Sequence, residues 1–258
     1  MSDALRYEWV RLRTLRSTYA LIGSALALNA LIAFLVAYAT RNETPARDLV
    51  VAVVTGGGAN PPVPLAVVFL AVVGVFATGH EYRYGTIQPT LTTVPQRVRL
   101  FSAKALVVAA TALVVMAVSM VVNVAATLPF WSDVPDLTDP TVPGYLLLAV
   151  LWAVLGVALG QLFRGVPGAL VVILVVPMVV EQLIFRLSYV PQLHWLTPAV
   201  KFLPFMAGQQ MVSAAGEASG GTADEVGLFT RWPSGAVFAV FVAVVLLAAG
   251  TLFRRRDA

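Results

Sequence analysis

The chain has 258 residues, 59% hydrophobic and 12% charged, with a net charge of +4 and no cysteine. The charged share is about half that of soluble domains, and a soluble fold has nowhere to hide so much apolar surface, so lipid is the expected solvent. Disulfide and thiolate chemistry are excluded, and the positive charge is too small and dispersed to suggest nucleic acid. Arginine outnumbers lysine 15 to 2, and Ala and Val abound, which reads as the codon bias of a GC-rich, bacterial genome.

In chain order, Leu5, Trp9, Leu12 and Leu15 recur at helical spacing, with Arg6, Arg11 and Arg13 on other faces. The pattern predicts a helix over 1–17 in the membrane interface, with Trp at headgroup level and arginines toward anionic lipid. A charged flank that serves only topology is the plainer alternative. Six apolar runs follow: Tyr19–Ala39, Val63–Gly79, Ala105–Thr127, Tyr145–Phe163, Val166–Phe185 and Ala236–Phe253. Each is a candidate spanning helix; the second is short by itself but is expected to run on into Tyr82. Ala37-Tyr38-Ala39 looks like a signal-peptidase site, but the run before it is too long for a signal peptide.

Basic residues are uneven across the spans. The N-terminus, the 80–104 segment, Arg164 and the C-terminus hold twelve, while Arg41, Arg47, Arg186, Lys201 and Arg231 make five on the other side. Lys/Arg excess marks the cytoplasmic side, so both termini are expected inside. Asp133, Asp136 and Asp139 then fall in an external loop. Leu49–Val54 is a further external apolar run, too short to span, and Gly56-Gly57-Gly58 reads as a loop. The longest external segment, 186–234, combines aromatics with Pro191, Pro198 and Pro204, which predicts short helices in the outer interface; it turns polar over 213–224.

Between the second and third spans lies a polar, basic island, His80 to Lys104. Gly85 can end the preceding helix in the left-handed conformation. Thr86 is a plausible N-cap for one or two turns that stop before Pro95, with Pro89 tolerated in the first turn. Ile87 and Leu91, four apart, would share one face and are expected to face the cytosol. On residue chemistry alone the island reads equally as a docking helix or as an ordinary basic loop.

Glu81-x-x-x-Gly85-Thr86-Ile87, followed by Thr-Leu-Thr, a Pro-x-Arg and Lys104 at the next span, resembles the intracellular loop of ABC exporter permeases of the type-2 family. The resemblance covers essentially the whole chain. It implies an all-α polytopic membrane protein with six spans, an N-terminal interfacial helix (Leu5, Trp9, Leu12) and a cytoplasmic coupling helix, all within one permease domain. It places Glu81, Gly85, Thr86, Ile87, Pro89, Leu91 and Thr93 on the segment that docks against a separate ABC ATPase. It further implies a second permease copy or paralogue and a site in the bacterial cytoplasmic (inner) membrane. No phosphate loop is encoded, since neither Lys104 nor Lys201 follows the required glycines. No cofactor is therefore expected on this chain, and ATP and Mg²⁺ would belong to the partner.

Enzyme readings fare poorly: His80 and His194 are expected on opposite faces, and no intramembrane protease signature is complete. Glu181 is the one carboxylate expected within a span; it serves either as an outer-interface anchor, pairing with Arg186 or water, or as part of a pathway. Asn29, Asn123 and Gln161 are further pathway candidates, or interhelical hydrogen-bonding groups. Gly156-x-x-x-Gly160 permits close helix contact. Nearly uncharged spans suit a hydrophobic or amphiphilic cargo such as a drug, lipid or peptide antibiotic. The rivals are an autonomous secondary transporter or channel, and a membrane scaffold without transport.

Overall fold

The computed structural model describes residues 2–56, 64–93, 96–131, 139, 141–212 and 229–255. Gly57, Gly58, Pro95, Asp133, Asp136 and the 213–224 loop lie outside the described residues. Helices make up the fold, and no strand occurs among the described residues. Among the described residues, six segments are long and apolar enough to cross a membrane: α2 (Arg16–Ala39), α4 (Leu65–Arg83), α6 (Arg97–Thr127), α7 (Thr141–Leu162), the continuous stretch Val166–Leu187, and α12 (Arg231–Arg255). The fifth is divided into α8 (Val166–Val175), a π-helical turn (Val176–Val180) and α9 (Glu181–Leu187).

Short elements join these spans. α1 (Ser2–Thr14) precedes the first, α3 (Arg47–Thr55) follows it, and α5 (Ile87–Thr93) lies between the second and third. A 3₁₀ turn (Pro191–Leu196), α10 (Thr197–Val200) and α11 (Pro204–Gln210) follow the fifth. The expected spans are all present. Several run longer at the ends than the apolar runs alone: α6 begins at Arg97, eight residues before the apolar run, because its first turns rest on protein rather than lipid. With six crossings, α1, α5 and the end of α12 share one face of the bundle, called basal below.

At the centre, α4 packs along α7 at backbone distance. A Cβ on Gly156 would stand 2.1 Å from the Ala71 carbonyl oxygen, and one on Gly74 would stand 2.1 Å from that of Ala153. The Gly156-x-x-x-Gly160 pattern therefore does what its spacing allows. Ala71, Ala153 and Val157 line the seam and are inaccessible, while Trp152 turns to Phe205 and Phe238 on α11 and α12. By contrast α2, α8 and α12 bury few residues and turn Leu31, Leu35, Val171, Val240, Val244 and Leu247 outward, as lipid-facing helices do.

Candidate functional site: the basal joint

Four charged side chains meet beneath the bundle. α1 supplies Glu8 and Arg11, the last turn of α4 supplies Glu81, and the second turn of α6 supplies Lys104. Glu8, Glu81 and Lys104 are each no more than 2% exposed. Lys104 Nζ donates to Glu8 Oε1 at 2.9 Å, Glu8 Oε2 at 3.1 Å, Glu81 Oε1 at 3.1 Å and the Ala77 carbonyl at 3.0 Å. Arg11 donates to the same Glu81 oxygen and, at 3.1 Å, to the same Ala77 carbonyl. Two cations thus face two carboxylates, and the cluster is formally neutral. Burial pushes the Glu8 carboxyl above the ordinary carboxylate pKa, while Lys104 and Arg11 oppose the rise and Glu81 adds to it. Glu81 Oε2 has no hydrogen-bond partner among the described residues.

α5 hangs from this joint. α4 ends at Tyr84, and Gly85 turns the chain in the left-handed region (φ +67°) that a glycine adopts without strain. The Thr86 carbonyl accepts the Thr90 backbone amide at 3.2 Å and the Thr90 hydroxyl at 2.8 Å. The Tyr7 hydroxyl bonds the Thr90 hydroxyl at 3.1 Å, tying α1 to α5. Ile87 is 6% exposed and belongs to the same buried cluster as Leu12 and Phe101.

That burial corrects the expectation that Ile87 faces the cytosol. A seven-residue helix is unstable alone in water, so it keeps its apolar side on the bundle. The outward side consists of Thr86, Gln88, Pro89 and Thr92, with Tyr84 65% exposed beside it. Leu91 and Thr93 lie on α5 by backbone position. Glu81, expected at the docking surface, is an internal member of the joint.

The α1 stripe divides as well. Ala4, Glu8 and Leu12 face the bundle, Leu5 is half-buried, and Trp9 is 51% exposed. Glu8 was missed by the pattern of large apolar residues; its place between Ala4 and Leu12, four positions either side, was the available signal. Around the joint, Arg97 donates to the Phe253 carbonyl at 3.2 Å, and Gln161 donates to the Tyr82 hydroxyl. The bases of α6 and α12, and of α7 and α4, are bound together in this way.

The remaining polar candidates are not gathered at one place. Asn29 Nδ2 donates to Ser119 Oγ at 3.2 Å, joining α2 to α6. Asn123 Nδ2 donates at 3.0 Å to the Val54 carbonyl, one of the last-turn acceptors of α3 that no helical amide reaches. Gln161 is basal. Glu181 belongs to the far half, 2% exposed, where it accepts from the backbone amides of Phe205 and Met206 rather than pairing with Arg186.

The fold and this joint define an all-α polytopic membrane protein whose first, fourth and sixth helices are locked by buried charge beneath a short exposed helix. The sequence matches the family model for ABC-2 family transporter protein over residues 4–250, and the chain belongs to that family. It is a membrane permease of the ABC type. A search of curated proteins finds no match.

Proposed function

We propose that this chain is a single-domain permease subunit of a bacterial ABC exporter, driven by ATP hydrolysis on a separate ATPase that docks on the outward side of α5. The observation that carries this reading is the linkage of α5. It presents Thr86, Gln88, Pro89 and Thr92 outward, while Ile87 is buried and the Tyr7–Thr90 bond ties it to α1, which the four-charge joint fastens to α4 and α6. A push on α5 is delivered to three helices at once, because a paired, buried ion cluster has few alternative arrangements. Tilting those helices in each of two permease copies or paralogues would turn an apolar cavity from inward- to outward-facing. The basic residues on the basal face favour placing it, with both termini, in the cytoplasm of the inner membrane. Mg²⁺ and ATP would be held by the partner, and the uncharged spans favour a hydrophobic or amphiphilic cargo.

The test uses the exposed side only. Thr86→Arg with Thr92→Arg is expected to leave the permease inserted and monodisperse but to reduce co-purification of the ATPase, or its hydrolysis in reconstituted membranes, by about tenfold or more. That loss corresponds to about 1.4 kcal/mol of docking energy. Wild-type co-purification and hydrolysis in the double variant would remove α5 as the docking element.

A further inference from the structure

The outer half of the fifth span touches the bundle sparingly. From Val176 to Leu187 only Pro177 and Glu181 are buried, while Met178, Val179, Val180 and Leu183 are 42–56% exposed. Pro177 brings no amide hydrogen, and the helix widens around it: the Glu181 amide reaches back five residues to the Val176 carbonyl. Such π turns are local changes of helical register, and they occur frequently at functional sites.

Glu181 stands directly after this turn. Its two oxygens accept from Phe205 N at 3.1 Å and Met206 N at 2.6 Å, the second and third residues of α11. Those amides need an external acceptor, which a Ser, Thr, Asp or Asn at the N-cap commonly supplies. Here the N-cap is Leu203, which has no side-chain acceptor, and the next residue is Pro204. A carboxylate 24 positions away does the capping. α11 in turn carries Phe205 into an aromatic cluster, 5.0 Å from Trp152 on α7 and 5.9 Å from both Phe238 and Phe241 on α12.

We propose that Glu181 is a latch: the outer half of the fifth span swings about Val176–Val180, and Glu181 releases and re-engages α11 as the far face opens and closes. Two features make the contact reversible rather than merely structural. The carboxylate makes no ion pair among the described residues, so its desolvation is offset mainly by two amide bonds, and outward movement returns it to water. Release leaves Phe205 as the anchor of α11 in the aromatic cluster, so the rest of α11, Ala207 included, can lift and settle again about that ring. Glu181 is a positioning residue in this scheme. The latch does not depend on the ATPase assignment.

The chain has no native cysteine, so Ala207→Cys on α11, at 4% exposed, gives a single buried thiol. Its rate of labelling by a membrane-impermeant maleimide in purified, reconstituted permease reads the opening. Glu181→Ala is expected to raise that rate about tenfold or more, the change that about 1.4 kcal/mol makes. Glu181→Gln, which keeps one carbonyl acceptor, is expected to fall between, and it serves where the alanine variant does not fold. Val157→Cys, in the α4–α7 seam and fully buried, is expected to stay unlabelled in the same backgrounds. Unchanged labelling at residue 207 in the folded Glu181 variants would overturn the latch. So would equal labelling at 157 and 207, which marks general loosening. Neither ATPase nor cargo enters the measurement, so its outcome is separate from that of the docking test.

Discussion

Lys104 and Glu8 stand 96 positions apart in sequence and 2.9 Å apart in the fold. Each is nearly inaccessible, and removing either leaves the buried cluster one charge out of balance. Removing one partner of such a pair costs about 3–5 kcal/mol. Lys104→Met is therefore expected to lower the unfolding temperature of the detergent-solubilised permease sharply. Lys104→Met with Glu8→Gln is expected to be less damaged than the sum of the single changes. Strict additivity in thermal unfolding would show that the two residues do not act as a pair.

The pH dependence of the joint has a definite sign. Glu8 is held above its ordinary value of 4.5 in the folded protein, so folding takes up a proton between the two values. Its contribution to stability is full below about 4.5 and is lost as pH rises through the folded pKa. Glu8→Gln deletes this one titration and leaves the others. The difference in unfolding temperature between wild type and Glu8→Gln should shift in favour of Glu8→Gln as pH rises from about 4.5. A difference that stays flat with pH would remove Glu8 as a titrating member of the joint.

Ile87 offers a test that separates folding from docking. Truncating a buried isoleucine costs about 2–5 kcal/mol, and Ile87 lies against the bundle. Ile87→Ala is expected to reduce thermal stability, whereas Gln88→Ala, on the exposed side, is expected to change it by less than about 0.5 kcal/mol. Equal stability in the two variants would place Ile87 outside the core.

Glycines in the spans divide by what a methyl group would meet. On Gly156 it would strike the Ala71 carbonyl at 2.1 Å, which is backbone and moves only with the helix. On Gly23 it would meet nothing within 4 Å. Gly156→Ala is expected to cost about 1–3 kcal/mol or more through overpacking. Gly23→Ala is expected to be neutral or stabilising by up to about 1 kcal/mol through helix propensity. Folded yield after size-exclusion chromatography ranks the two.

Sidedness is checked with single cysteines. Thr86→Cys and Arg255→Cys are expected to be shielded from an impermeant thiol reagent in intact cells, while Tyr189→Cys, on the exposed far side, is expected to be labelled. Labelling of the first two without permeabilisation would invert the orientation.

The spans were legible because each is a long run of one chemistry, and lipid enforces that run over its whole length. The α5 turn was legible from Gly85, Thr86 and Pro89, whose backbone preferences act locally. Which side of α5 faces the bundle was not, since Ile87 joins a buried cluster built from distant segments, Leu12 and Phe101 among its members. Glu8 escaped notice because a helix-face pattern weighs large apolar residues, and a buried charge shows only when its partner is known. Lys104 was visible as a lone cation at the start of a span, but sequence does not say that Glu8 lies opposite. Glu181 stands out in the sequence as a charge within a span; its partners are backbone amides, which carry no side-chain signature.

The α4–α7 seam restricts where anything can travel through this molecule. Backbone carbonyls there already sit where a methyl group would have to be, along Gly74, Gly156 and Gly160. The two helices leave no passage between them while they remain paired, and parting them would uncover Ala71, Ala153 and Val157, which are inaccessible. The pair is a keel: closely packed backbones resist rearrangement, and the looser contacts lie with the outward-turned helices α2, α8 and α12 along its flanks.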